Sequence, residues 1–202
     1  MNISQRPFRL FVAAGYSGCG KSTLGIELAK ELDIAYRSKD EFLEPLFESV
    51  GRYHAGTDCI VTIRDMSYDN LFAEVQRLGG EGESVLIDSN FNREVHSSRI
   101  LQTAHLCGFS QIIQIYCVCP PRLAFERYFA RQSMPGRHKD YTKVTDYSDY
   151  HRWFVDGVEP ELVTWDTHYP DHDIVRVNMA DPHDCTVKAV IEKLNPLLAR
   201  AA

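Results

Sequence analysis

One eight-residue stretch constrains this chain more than any other: Gly15-Tyr16-Ser17-Gly18-Cys19-Gly20-Lys21-Ser22. Its spacing, G-x-x-x-x-G-K-S, is that of a phosphate-binding loop. Oxygens carrying charge need donors close by. Glycines at 15, 18 and 20 let the backbone turn tightly and bring its N–H groups up to them. Lys21 supplies a mobile positive charge, expected to face solvent when nothing is bound, and Ser22 supplies a hydroxyl suited to a divalent cation. The flanks agree with the motif. Phe8 to Ala14 is apolar and strand-like, and Thr23 to Leu32 has helical spacing. A strand, a glycine-rich turn and a helix in that order aim a helix N-terminus at an anion.

With 202 residues, 44% hydrophobic and 25% charged, the chain reads as a single globular domain over 1–202. No apolar run approaches the ~20 residues that would cross a bilayer. The N-terminus lacks a secretory apolar core, so a cytoplasmic location is expected. A net charge of −6 argues against a dedicated binder of long nucleic acid, although Arg122, Arg127, Arg131, Arg137, His138 and Lys139 make one local basic cluster. Six cysteines form no C-x-x-C pair, which leaves little for zinc. Cys117 and Cys119 share one face of a strand and read as small buried hydrophobes.

Further strands are expected at Ile34 to Ser38, Ser84 to Asp88, Gln111 to Val118 and Ile174 to Val177. Helices are expected over Phe42 to Val50, Asp58 to Leu78, Arg93 to Leu106, Arg122 to Gln132 and Val187 to Leu198, with a short one between Asp146 and Asp156. Lys39-Asp40-Glu41 is left as the link between the second strand and its helix. This alternation implies a doubly wound α/β fold with a parallel sheet. The polar stretch from Ser133 to Pro170 reads as the inserted or mobile part. Tyr141, Tyr147, Tyr150, Trp153 and Trp165 in that neighbourhood either line a pocket or pack a small subdomain.

Two carboxylates stand at strand ends. Asp88 closes Val85-Leu86-Ile87, as a Walker B aspartate does, and is placed to hold Mg²⁺ with Ser22. The other reading is an N-cap for the following helix. Asp40 follows the second strand, so it projects from the same sheet edge, where such folds bind ligands. There it is either a base for an acceptor hydroxyl or again a helix cap.

The chain resembles the P-loop kinase group that includes polynucleotide kinase, chloramphenicol phosphotransferase and the zeta toxins. The resemblance runs from Phe8 to Gln132. It rests on the phosphate loop, on Ser38-Lys39-Asp40-Glu41, on Ile87-Asp88-Ser89-Asn90-Phe91-Asn92, and on Cys119-Pro120-Pro121 followed by Arg127 and Arg131. It implies a three-layer fold with a five-stranded parallel sheet in the order 2-3-1-4-5 and a lid or substrate region around 122–170. It implies ATP and Mg²⁺, with ATP held by Gly15 through Thr23 (Tyr16, Ser17, Gly18, Cys19, Gly20, Lys21 and Ser22 included) and by Arg127 and Arg131. Lys21, Asp40 and Arg131 take the catalytic roles, and Lys39, Asp40, Asn90 and Asn92 meet the acceptor. Arg127 and Arg131, at i and i+4, share a helix face and can grip a triphosphate; otherwise they form a solvated face paired to Glu126. Where polynucleotide kinase carries a basic residue after its aspartate, this chain has Leu43, which weakens a polynucleotide reading.

The leading expectation is therefore a kinase acting on a hydroxyl of a small molecule or nucleoside-type acceptor. A 5′-hydroxyl polynucleotide kinase and a nucleotide-dependent switch or toxin-like regulator with a protein partner are the alternatives. Neither the acceptor nor the oligomeric state is written in these motifs.

Overall fold

In the computed structural model, which describes residues 7–50, 57–91, 93–132, 144–156 and 172–201, five apolar segments pair into one sheet. They are β1 (Arg9–Ala14), β2 (Ala35–Ser38), β3 (Val85–Asp88), β4 (Gln111–Val118) and β5 (His172–Asn178). The order is β2-β3-β1-β4-β5 and every pairing is parallel, as the resemblance implied. Parallel strands need crossovers, and helices supply them: α1 (Lys21–Leu32), α2 (Lys39–Val50), α3 (Thr57–Gly80), α4 (Arg93–Cys107), α5 (Pro121–Gln132) and α6 (Tyr147–Phe154), with α7 (Val187–Leu198) following the last strand.

Both faces of the central strands are covered, which is why β1, β3 and β4 are apolar almost throughout. The strand period of two sorts their residues between two cores. Phe11, Ala13, Leu86, Ile113, Ile115 and Cys117 meet Leu24 and Leu28 of α1, Tyr128 of α5, and Val190 and Leu194 of α7. Leu10, Val12, Ala14, Val85, Ile87 and Ile112 meet Leu71, Phe72 and Val75 of α3 and Ile100 and Ala104 of α4. Cys117 and Cys119 are both buried with the first set. None of the described helices is long and apolar enough to cross a membrane.

The sequence pattern and the structure differ at the start of α2. Lys39, Asp40 and Glu41 are its first turn, not a link before Phe42. The physical reason is a reciprocal cap. The Ser38 Oγ accepts from the Asp40 amide at 3.3 Å, and the Glu41 carboxylate accepts from the Ser38 amide at 3.1 Å. The helix therefore begins at the last residue of β2. In α5, Pro121 takes the first helical position, where a missing N–H costs nothing. In α6, the Asp146 side chain accepts from the Asp149 amide at 2.9 Å and caps the short helix that was expected there. Tyr147 and Tyr150 of that helix pack against Phe125 and Tyr128 of α5. Much of the expected lid region, with Tyr141 and Trp165, lies outside the described residues, as does the side chain of Trp153.

Candidate active site

The loop between β1 and α1 turns through three positive-φ glycines, Gly15, Gly18 and Gly20, at φ 150°, 90° and 105°. Its outer surface is held by the helices beyond it. Tyr150 donates its hydroxyl to the Ser17 carbonyl at 2.5 Å, and Arg127 Nη1 donates to the Cys19 carbonyl at 3.1 Å and to the Met179 carbonyl at 3.2 Å. In a trans peptide the N–H points opposite to the C=O. Turning the Ser17 and Cys19 carbonyls toward α5 and α6 therefore turns the Gly18 and Gly20 amides away from them, into the concavity of the loop. That is the donor arrangement an anion requires.

Gly18 makes this close approach possible. A Cβ there would stand 2.2 Å from the Ala124 carbonyl and 2.9 Å from Tyr128 Cβ, at a φ that side chains rarely adopt. Gly18→Ala is expected to cost about 1–3 kcal/mol in backbone strain alone. At ~2–4 °C per kcal/mol for a chain of this size, the melting midpoint should fall by roughly 2–12 °C, read by calorimetry. An unchanged midpoint would mean that α5 does not seat on the loop as described.

Lys21 does not face solvent as expected. It is 7% exposed, and its ammonium reaches back to the Tyr16 carbonyl at 3.5 Å. Cys19 lies under the loop, fully buried against Cys117. The hydrogen bond between the two thiols, helped by Lys21, lowers the pKa of Cys19 and raises that of Cys117.

The sheet order brings the acidic residues beside this loop. In the register, Asp88 has Ala13 of β1 on one side and Ser38 of β2 on the other. It thus stands between the start of the phosphate loop and the start of α2. Asp88 is 1% exposed. Its Oδ2 accepts from the Tyr36 hydroxyl at 2.9 Å, while Oδ1 is buried with no hydrogen-bond partner among the described residues. It does not cap α4. The side chains of Ser22 and Ser38 lie against the same Tyr36 hydroxyl.

Asp40 is relieved of capping by Ser38 and Glu41, and its carboxylate pairs with Lys39 at 3.3 Å. The Lys39 side chain is 13% exposed, and burial lowers its pKa, against the pull of Asp40. Arg64 of α3 and Lys21 push in the same direction as burial, which places three cations around one space. Tyr68 of α3 closes that space. Its hydroxyl hydrogen-bonds with the Ser89 hydroxyl at 2.8 Å and donates to the Asn90 carbonyl at 3.1 Å, and its ring stacks on His96 with centroids 3.9 Å apart. Burial raises the pKa of Tyr68, and Asp40 and Asp88 both add to the shift. In the register Asp88 pairs with Ser38, two residues before Asp40, so both carboxylates stand at the same edge of the sheet.

A family model described as an AAA domain matches residues 10–146, which spans every one of these groups. The chain belongs to this AAA-domain family. A search of the curated proteins finds no match. Among solved structures, a proposed kinase of Chloroflexus aurantiacus is similar at 20% identity and a TM-score of 0.76, covering 98% of this chain and 99% of that one. A sugar kinase from Janibacter sp. is similar at 17% identity and a TM-score of 0.61, covering 97% and 99%. A gluconokinase from Sinorhizobium meliloti is similar at 15% identity and a TM-score of 0.55, covering 97% and 94%. At these identities the likeness is one of fold.

Of the residues singled out in the sequence of this AAA-domain chain, the structure gathers Lys21, Ser22, Lys39, Asp40, Asp88 and Asn90 at one edge of the sheet. Arg131 lies in the last turn of α5. Arg127 does not pair with Glu126, which is joined to Arg122 at 3.5 Å; Arg127 bridges Cys19 and Met179 instead. Asn92 lies outside the described residues. Leu43, standing where a basic residue was looked for, packs with Phe47 and Ile63 in the seam of α2 and α3. Positive charge near Asp40 comes instead from Lys39 and Arg64. Pattern reading missed Tyr36, Arg64 and Tyr68. Tyr36 had a signal, since it sits two residues before Ser38 and shares its face. The other two reach the site only through the crossover, and Tyr150, named as a pocket or packing residue, both packs on α5 and holds the phosphate loop.

Proposed function

We propose that this chain is a kinase that transfers the γ-phosphoryl group of ATP to a hydroxyl of a small-molecule or nucleoside-type acceptor. The observation that carries this reading is Asp40. A carboxylate at the second position of α2, where Ser38 and Glu41 make the cap, and beside the phosphate loop and Asp88, has the placement a base for an acceptor hydroxyl requires. The kinases among the similar structures support the reading. The likeness to the polynucleotide kinase, chloramphenicol phosphotransferase and zeta toxin group belongs to the same proposal, as do a single domain over 1–202 and a cytoplasmic location.

In this mechanism the Gly18 and Gly20 amides receive phosphate oxygens, and Lys21 leaves the Tyr16 carbonyl for the β- and γ-phosphates. Ser22 and Asp88 would hold Mg²⁺: both offer hard oxygen donors, and Asp88 Oδ1 is buried without a hydrogen-bond partner among the described residues. The metal would neutralise charge on the β- and γ-oxygens. Asp40 accepts the acceptor's proton as its oxygen attacks, and Lys39 holds that carboxylate in place. Arg131 meets charge on the moving phosphoryl group, with Asn90 and Asn92 toward the acceptor.

The test is a phosphoryl-transfer screen over sugars, sugar acids, nucleosides and oligonucleotides, followed by Asp40→Asn on the best acceptor. Transfer should fall ~10²- to 10⁴-fold, the worth of a positioned general base. ATP affinity should hold, and stability should change by about 1 kcal/mol or less, since the ion pair with Lys39 is partly exposed and asparagine keeps the side chain's size and hydrogen-bonding capacity. Near-normal transfer in this variant would overturn the reading. ATP hydrolysis that needs no acceptor would favour a nucleotide switch.

A further inference from the structure

We propose that Tyr36 is a positioning residue for the metal-holding edge of the site, its hydroxyl holding the Asp88 carboxylate in the orientation that binding a cation demands. The inference rests on the assignment of Ser22 and Asp88 to Mg²⁺ made above and assigns a residue that assignment did not contain.

The argument starts from hydrogen counting. A phenol has one hydrogen to donate and lone pairs to accept with. Tyr36 spends its hydrogen on Asp88 Oδ2 at 2.9 Å. That bond settles the direction of the carboxylate. With Oδ2 held by the phenol, Asp88 keeps Oδ1 for another partner, and that atom is buried and lacks a hydrogen-bond partner among the described residues. The phenol thus presets the oxygen that a cation would meet, as outer partners of metal ligands do.

A second observation shows the ring is seated by design of α1. Gly25 lies in the interior of that helix, where glycine weakens it. A Cβ at Gly25 would stand 3.1 Å from Tyr36 Cε2 and 3.3 Å from Leu86 Cδ2. The helix gives up a side chain where the ring of Tyr36 must pass to reach Asp88. Packing alone would be met by phenylalanine, so the hydroxyl is the part to test.

Tyr36→Phe keeps the ring and removes only the oxygen. Mn²⁺ serves as the probe, with its free concentration followed by electron paramagnetic resonance in the presence of saturating ADP, for wild type, Tyr36→Phe and Asp88→Asn. Tyr36→Phe should weaken Mn²⁺ binding by ~10- to 100-fold, the usual cost of losing an outer-shell partner. Its ADP affinity measured without metal should match wild type. Wild-type Mn²⁺ affinity in Tyr36→Phe, with weakened binding in Asp88→Asn, would overturn the role of Tyr36 and leave the metal assignment standing. Wild-type affinity in both variants would remove the metal assignment and the proposal with it. Equal loss of metal-free ADP binding in Tyr36→Phe would make the residue a support for the phosphate loop and overturn the proposal.

Discussion

Lys21→Met is expected to lower phosphoryl transfer by on the order of 10³-fold or more, the scale of a charge that neutralises a phosphoryl group in flight. Methionine is the informative replacement because Lys21 is buried at 7% exposure. Alanine would leave a gap under the loop, and any loss of activity would then mix charge with packing. Methionine keeps the apolar stem and deletes the ammonium. The Tyr16 carbonyl loses a long hydrogen bond of 3.5 Å, which is worth little. Thermal melting should therefore stay close to wild type, while the stabilisation that Mg-ATP adds to the melt should shrink. Transfer within a few-fold of wild type would sink the kinase assignment, because no other cation on α1 is placed to reach the β- and γ-phosphates.

Arg131→Ala should lower kcat by ~10³-fold, toward the lower end of what an arginine contributes at a phosphoryl group in transit. Arg127 gives the contrast. Its guanidinium ties the Cys19 carbonyl to the Met179 carbonyl, so it braces the loop whether or not nucleotide is present. Arg131 stands one turn further along α5, at its end. A group that meets charge only as it develops acts on kcat, whereas one that holds the ground state acts on KM. Steady-state kinetics with the acceptor saturating and ATP varied distinguish the two. A rise in KM for ATP with kcat preserved would make Arg131 a ground-state contact and reject its catalytic role.

The sheet and the phosphate loop were legible in the sequence because each depends on a local pattern. β1, β3 and β4 are apolar runs closed by turn residues, and the loop is a contiguous motif between a strand and a helix. The start of α2 was not legible to the same degree. Lys39-Asp40-Glu41 is polar enough to pass for a link, and the cap that makes it helical is a side chain–backbone exchange between Ser38 and Glu41. That exchange also removes the helix-cap reading of Asp40, since a residue at the second helical position no longer has the cap to make. The exposure of Lys21 was misjudged because nothing in the motif says where the ammonium rests in an unfilled loop. Tyr68, Arg64 and Tyr150 enter from α3 and α6, far along the chain. Only the crossovers bring them to the loop, and no spacing rule encodes a crossover's landing point.

The central place of β1 bears on how the chain is made. Arg9 finds its partners in Ser84 and Gln111, 75 and 102 residues further on. On the ribosome the glycine-rich turn emerges before β3 and β4, so the strand that carries it has neither neighbour until they have followed. At ~5–20 residues per second that wait lasts roughly 5–20 s. For that interval Leu10 to Ala14 is an unpaired apolar strand with both edges open, the kind of segment that other chains capture. Long-range parallel pairing is slow to form even after release. The arrangement that puts the glycine-rich loop at the heart of the sheet thus exposes the nascent chain, more than the finished fold, to capture by its neighbours.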